Sequence, residues 1–250
     1  MKTRRLSSPL LAAVFAVACT GSPTATRPIT ELPRQLTAAE LGVIAASNTF
    51  AFGLLREVNR AHADSNVFLS PLSASMALGM TVNGAAGTTL DSMRAALGFG
   101  QMPLADMNAS YQSIIALLRG LDPNVDFRIA NSIWYRQGFP FEASFLDLGR
   151  RYFDARIEAL DFADPGAPGV INGWVSDNTG GRIPTIVDQI PADAVMYLIN
   201  AIYFKGAWTV RFDPADTQDG PFGSTTTARY MSLRDTLRYY EDDSLQAVDL

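Results

Sequence analysis

Residues 195–204 read VMYLINAIYF, a run that is apolar on both of its alternating faces. Successive side chains of a β-strand point to opposite sides of a sheet, and a strand that is apolar on both sides is typical of a sheet covered on both faces. Within the run, the amide Asn200 shares one face with four apolar side chains, Met196, Leu198, Ile202 and Phe204. A buried amide without a hydrogen bond costs about 1–3 kcal/mol. The stretch therefore predicts a central strand with a specific polar contact in its middle.

The rest of the body mixes helical and strand patterns. Thr37 and Glu40 form a capping box ahead of a long helix to about residue 60, and Ser70 before Pro71 is a strong start for a second helix. Further helices are predicted at 88–97, 104–119, 142–153 and 168–179, and strands at 66–69, from 126, and at 155–162, 226–233, 234–241 and 245–250. Helices come first and then mix with strands without strict alternation, so the pattern favours an α+β body over a doubly wound sheet.

The N-terminus has the layout of a bacterial lipoprotein. Residues 1–19 combine a basic head, an apolar run too short to span a bilayer, and small residues before Cys19, the single cysteine of the chain. This predicts a signal peptide with a lipobox, export, and a lipid anchor on Cys19 that holds the protein to a membrane at the periplasmic or cell-surface side. An ordinary A-x-A signal site with an incidental cysteine is the alternative. Residues 20–36, rich in Thr and Pro, predict a tether to a domain spanning 37–250.

Composition and motifs argue against several functions. The formal net charge is -5 and no basic cluster follows the first residues, so nucleic acid is not an expected partner. The single histidine, His62, falls in a predicted loop, and neither a nucleophile elbow nor a zinc motif occurs. The glycine-containing stretch 84–89 lacks the lysine of a phosphate-binding loop and is interpreted as a turn. We therefore expect a protein that is not an enzyme and uses no cofactor or metal.

Three segments resemble the serpin family of protease inhibitors, and their order and separation also match. They are NVFLSPLS with NGAAGTT at 66–73 and 83–89; ANSIW at 130–134, continuing to TGGRI at 179–183; and NAIYFKGAW at 200–208. The resemblance covers residues 37 to 250. It implies the serpin fold, with a large mixed main sheet, helices packed around it and further smaller sheets. It also implies that the C-terminal part of that fold is missing from this chain, and the strand-like ending LQAVDL at 245–250 predicts a fragment of a longer protein.

The resemblance also implies site residues. Ser70, Ser73 and Asn200 match the shutter, the region under the main sheet where it parts to admit a new strand. Trp208 matches the tryptophan of the breach, where insertion begins. Simple helix capping would explain both serines. Asn200 could serve only to fix the position of its strand, and Trp208 could be a packed core aromatic.

The function that the resemblance implies is suicide-type inhibition of a serine or cysteine protease in the full-length form, as a monomer. The protease cuts an exposed reactive loop, which then inserts into the main sheet as an extra strand. In the family that loop lies C-terminal to the region that residues 37–250 match, so the reactive loop is not in this chain and its specificity is unknown. The alternative is a non-inhibitory serpin-like surface lipoprotein that binds a partner or a ligand.

Overall fold

A computed structural model describes residues 29–63 and 65–248, which fall into two units, Ile29–Ala207 and residues 208–248. The predicted signal peptide, Cys19 and most of the predicted tether lie outside the described residues. The helices of the first unit are α1 (Ala38–Ala61), α2 (Pro71–Thr81), α3 (Gly87–Leu97), α4 (Leu104–Arg119), α5 (Ala143–Phe153) and α6 (Ala167–Asn178), with a 3-10 turn at Val82–Gly84. Its strands are β1 (Asp126–Arg136), β2 (Ala155–Leu160) and β3 (Met196–Lys205). The α+β fold class is confirmed.

Local sequence signals place the helix ends. The capping box at the start of α1 forms as predicted, since the Thr37 hydroxyl accepts the backbone N–H of Glu40 and the Glu40 carboxylate accepts that of Thr37. Gly98 ends α3 with a φ of 76°. A Cβ at Gly98 would lie 3.3 Å from the backbone Cα and O of Ala46 in α1, so this turn requires glycine both for its conformation and for the close approach of α1.

The three strands of the first unit form one mixed sheet in the order β2-β1-β3. β1 pairs with β2 in parallel and with β3 antiparallel over its length. Both faces of β3 contribute to apolar cores, Leu198 and Ile202 to one and Ile199 to the other. Phe204, near the end of the strand, is 68% exposed. Among the described residues, β3 has β1 as its paired strand on one side.

The sheet separates two apolar layers. On one face, Ile129 and Leu198 pack into a core built with α1 to α5, where Met76 and Tyr111 are fully buried. On the opposite face, α6 contributes side chains to a second core around Trp134, made of Ile171, Val175, Val187 and Ile199. Each layer buries apolar side chains from several chain segments, which is the main stabilising contribution in a fold of this kind.

Helix α1 is long and apolar enough to cross a membrane by length and composition alone, but only 17% of that window is buried in the fold. Its inner residues Val43 and Ala46 belong to the core of the first unit, whereas Phe52 on its outer side is 73% exposed. A core helix of a folded domain passes the same compositional test, so this one helix is weak evidence for a membrane span.

The second unit consists of two hairpins and differs most from the sequence predictions. β4 (Gln218–Phe222) pairs with β5 (Thr226–Tyr230), and β6 (Tyr239–Glu241) pairs with β7 (Gln246–Val248). The predicted strands 226–233, 234–241 and 245–250 are therefore shorter than expected, and β4 was not predicted because it contains glycine and proline. The predicted strand at 66–69 is irregular chain. These segments bury few apolar side chains, so the alternation of apolar and polar residues in their sequences only partly determines which residues form paired strands.

We call residues 29–37, which include the last part of the predicted tether, the N-terminal strap. Arg34 forms two hydrogen bonds to the carboxylate of Glu40, at 2.9 and 2.6 Å, and another to the hydroxyl of Ser113 in α4, at 2.7 Å. Glu40 itself is only 2% exposed. This charge pair attaches the strap to the helices, so the folded unit begins before residue 37.

The Arg34–Glu40 pair predicts a defined pH dependence. Hydrogen bonds from Arg34, with further ones from Ser113 and the Thr37 backbone, lower the pKa of Glu40 from 4.5 to about 2. A carboxyl whose pKa is depressed by folding stabilises the folded state above its unfolded value. We therefore expect this contribution to be complete above pH 4.5 and to disappear as the pH falls towards 2.

The measurement is the urea midpoint of the complete protein and of an Arg34→Gln variant at intervals from pH 6 to pH 2. The two curves should be furthest apart above pH 5 and should converge in acid. An Arg150→Gln variant, which removes an exposed pair with Asp147 in α5, is the matched control and should stay close to the unmodified protein throughout. A gap between Arg34→Gln and the unmodified protein that did not change with pH would contradict the assignment.

Candidate functional site

A pair of asparagine side chains joins the two longest strands. Asn200 on β3 lies directly opposite Asn131 on β1 in the antiparallel register, and the Asn200 Nδ2 donates to the Asn131 Oδ1 at 2.8 Å. Their neighbours along the same face are apolar, such as the facing pair Ile133 and Leu198. The buried amide that the sequence predicts on β3 therefore has its partner on the adjacent strand.

Helix α2 reaches this pair through Ser73. The Ser73 Oγ lies 2.5 Å from the Asn200 Oδ1, to which its hydroxyl donates, and 3.0 Å from the Asn200 carbonyl oxygen. Ser73 occupies the third position of α2, and its backbone N–H donates to the hydroxyl of Ser70 at 3.3 Å. Ser70 is exposed and acts as the N-cap of α2. Helix capping therefore accounts for the contact of Ser70, whereas Ser73 also ties α2 to β3.

Asn131 extends the contacts in the other direction. It is 1% exposed, and its Nδ2 donates to the backbone oxygen of Phe153 at the end of α5, at 2.7 Å. The Nδ2 of Asn200 also lies 3.6 Å from the sulfur of Met76 in α2. We call the connected group Ser70, Ser73, Asn131 and Asn200 the amide network. It connects α2, β3, β1 and the end of α5.

Asn131 was not among the site residues predicted from the sequence. The signal was present, because Asn131 alternates with Ile129 and Ile133 on β1 in the way that Asn200 alternates with its apolar neighbours on β3. An amide on an otherwise apolar strand face needs a partner, and two such amides on neighbouring strands can satisfy each other.

Trp208 is the first residue of the second unit. Its ring packs edge-on against that of Phe212, with 5.8 Å between the ring centroids. The side chain is 50% exposed among the residues of this chain. Its role in a breach stays a prediction.

The amide network consists of neutral groups, and its hydrogen bonds are suited to holding neighbouring elements of structure together. Amides and hydroxyls hold neighbouring elements in register without a nucleophile or a proton acceptor of suitable pKa. His62 is exposed at the C-terminal cap of α1. Within residues 29–63 and 65–248, no cluster of three or more His, Cys, Asp or Glu side chains is placed to hold a metal ion.

A double-mutant cycle separates the roles of the two serines. We expect Ser73→Ala and Asn200→Ala to be coupled by about 1 kcal/mol, because each removes the same hydrogen bond. Ser70→Ala should lower the free energy of unfolding by about 1 kcal/mol through the lost cap. Its coupling to Asn200→Ala should be close to zero, since the Ser70 hydroxyl accepts the backbone N–H of Ser73 and makes no hydrogen bond to Asn200 among the described residues.

Urea denaturation of the four variants of each cycle, made in the complete protein, measures both couplings. If Ser70 and Ser73 showed equal coupling energies to Asn200, the assignment of Ser70 as a helix cap and of Ser73 as the link between α2 and β3 would be contradicted. Absence of coupling for Ser73 would show that its bond to Asn200 does not contribute to stability.

Comparison with known protein families gives a match over most of the chain. The family model described as serpin (serine protease inhibitor) matches residues 45–250. That range contains the whole amide network, Trp208 and all four residues from which the shutter and breach were predicted.

Individual relatives show the same likeness. The chain is 33% identical over 211 residues to corticosteroid-binding globulin of Oryctolagus cuniculus, covering 82% of this chain and 55% of that protein. It is 33% identical over 182 residues to leukocyte elastase inhibitor of Sus scrofa, covering 71% and 48% of the two chains. The crystal structure of cleaved kallistatin complexed with heparin superposes with a TM-score of 0.77 at 25% identity, covering 84% of this chain and 66% of that one.

The chain spans about half the length of these curated relatives. The matched region nevertheless includes most of the described residues. The chain therefore belongs to the serpin family.

Proposed function

We propose that the complete protein inhibits a serine or cysteine protease as a suicide substrate. On this proposal, the protease cleaves an exposed reactive loop, and the cleaved loop enters the main sheet as an additional strand next to β3. Strand addition supplies a full ladder of main-chain hydrogen bonds to the sheet that receives it. The protease, still attached to the loop as an acyl-enzyme, is carried along and distorted, which stops the reaction before hydrolysis.

The observation that carries this proposal is the match of residues 45–250 to the family model described as serpin (serine protease inhibitor). The long strand β3 supports it, because the amide network holds β3 to β1 and α2 and so gives a fixed element beside which an inserted strand would pair.

A second candidate is a non-inhibitory protein of the same fold that binds a partner or a ligand. The similarity to corticosteroid-binding globulin, at 33% identity over 211 residues, favours it, since that relative is named for ligand binding. The two candidates share the fold and differ in what happens after a protease cuts the loop.

Incubation of the complete protein with a panel of serine and cysteine proteases tests the proposal. Inhibition predicts a complex with one of them that survives boiling in detergent, together with a large rise in the thermal unfolding temperature of the cleaved protein. Heat-inactivated protease is the control and should give no complex. Clean cleavage without a complex, and without a rise in unfolding temperature, would favour the second candidate and contradict inhibition.

We also propose that the protein is exported and anchored through a lipid on Cys19, as a monomer on the periplasmic or cell-surface side of a bacterial membrane. The arrangement of the basic head, the apolar run and the lone cysteine supports this. Labelling with a radioactive fatty acid in the native host should mark the protein, and Cys19→Ser should remove the label and release the protein from the membrane fraction. Label on the Cys19→Ser variant would exclude this site.

A further inference from the structure

An apolar cavity of about 250 Å3 lies in the first unit between α1, α2 and α4. Apolar side chains form most of its wall, with none of the charged residue types among the side chains that line it. A cavity of about 150 Å3 lined by aliphatic and aromatic side chains stays dry and can hold a benzene molecule. The present cavity therefore has room for an apolar molecule larger than benzene.

One part of the wall is polar but uncharged. Ser47 and Asn48 of α1 and Tyr111 of α4 line the cavity. The Tyr111 hydroxyl lies 2.6 Å from the Ser75 Oγ, and burial raises the pKa of Tyr111, against the opposing effect of hydrogen bonds from Ser75 and Ser47. These groups can exchange hydrogen bonds with a neutral hydroxyl or carbonyl, and they offer no countercharge to an ion.

The N-terminal strap closes the outer side of the cavity. Leu32 and Leu36 of the strap are part of the lining, and Leu32 is still 46% exposed. Between them, Arg34 holds the strap to Glu40 and Ser113. The cover is therefore held by the hydrogen bonds of Arg34 to Glu40 and Ser113, and the partly exposed Leu32 leaves an opening at its rim through which a small molecule can enter.

The inner wall of the cavity contacts the amide network. Met76 lines the cavity, and its sulfur lies 3.6 Å from the Nδ2 of Asn200. A molecule filling the cavity would pack against Met76 and restrict its movement next to Asn200. Occupation of the cavity is thus expected to stabilise the region where α2 meets β3.

We propose that this cavity is a binding site for a small, uncharged, largely apolar molecule with one hydrogen-bonding group, of the size of a bicyclic aromatic alcohol. The apolar groups of the ligand would contact Leu36, Met76 and the α4 side of the cavity, and its polar group would face Ser47 and Asn48. This site does not depend on protease inhibition, since it uses only residues of the strap, α1, α2 and α4.

The test is calorimetric titration of the complete protein with 2-naphthol as the probe. We expect saturable binding with one molecule per protein. The carboxylate analogue 2-naphthoate should bind more weakly by more than about tenfold, because burial of a charge without a partner is strongly unfavourable.

Two variants assign the site. Ile44→Phe places a larger side chain in the lining of this cavity and should abolish the binding of 2-naphthol. Met93→Phe enlarges a side chain in a separate pocket lined by Phe141 and Phe145, and it is the matched control that should bind as the unmodified protein does. If Ile44→Phe does not fold, Leu117→Phe fills the same cavity.

Three results would overturn the proposal. They are absence of saturable 2-naphthol binding, equal affinity for 2-naphthoate, or loss of binding in Met93→Phe with retention in Ile44→Phe. The titration measures the heat of binding and needs no protease, so failure of 2-naphthol binding and failure of protease inhibition are distinguishable results.

Discussion

Replacement of Asn131 with alanine is expected to lower the free energy of unfolding by about 2–4 kcal/mol, because a buried polar group that loses its partner costs about 1–3 kcal/mol. Two such groups lose partners in this variant. The backbone oxygen of Phe153 loses its donor at 2.7 Å, and the Nδ2 of Asn200 loses its acceptor at 2.8 Å. Asn131 is also 1% exposed, so water cannot replace either contact without rearrangement.

Urea denaturation of the complete protein measures this effect. Asn124→Ala is the matched control, since Asn124 is exposed and its side chain contacts only Asp122 in the same turn. The control should change the free energy of unfolding by less than about 0.5 kcal/mol. Similar losses in the two variants would show that the amide network does not hold β1, β3 and α5 together.

Trp134→Ala is expected to lower the free energy of unfolding by about 3–5 kcal/mol, the usual range for truncation of a buried aromatic. Trp134 is fully buried at the centre of the core under α6, with its ring edge-on to Trp174 at 6.1 Å between centroids. Its Nε1 donates to the Ser132 hydroxyl at 2.8 Å. The change therefore removes a large apolar contact and leaves a hydroxyl without its donor.

Trp208→Ala provides the matched comparison, because Trp208 is 50% exposed. Its truncation should lower the free energy of unfolding by about 1 kcal/mol or less, in proportion to the smaller area that it buries. Trp134→Phe should recover part of the loss at residue 134. A larger loss from Trp208→Ala than from Trp134→Ala would contradict the assignment of the core under α6.

Most helices could be predicted because their signals are local. The capping box at Thr37, the Ser70–Pro71 start and the glycine at residue 98 all act within one turn of the backbone. Strands in the second unit were predicted less well, since a short strand such as Gln218–Phe222 forms only when a neighbour satisfies its backbone. The N-terminal strap was not predicted because it has no helical or strand pattern of its own, and its contact with α4 is a hydrogen bond from Arg34 to Ser113, a residue far along the chain.

The candidate site was predicted in part. Asn200 was identified because an amide among apolar residues of a strand must find a partner, and the serpin resemblance supplied Ser70 and Ser73. The resemblance gave both serines the same role. The hydrogen bonds distinguish them, because Ser70 caps α2 and Ser73 links α2 to β3. On β1, Asn131 is an amide among apolar residues in the same way that Asn200 is on β3.

The sequence by itself determined the fold class, the positions of the helices and the need for a polar contact in the middle of β3. Periodicity and capping are properties of neighbouring residues, and they persist in any arrangement of the elements. Only the tertiary structure decided which groups meet: the antiparallel register that sets Asn131 opposite Asn200, the approach of α2 that brings in Ser73, and the strap that closes the cavity beside Met76. Hydrogen bonds act over about 3 Å, so partners that are distant in sequence are determined only when the chain has packed.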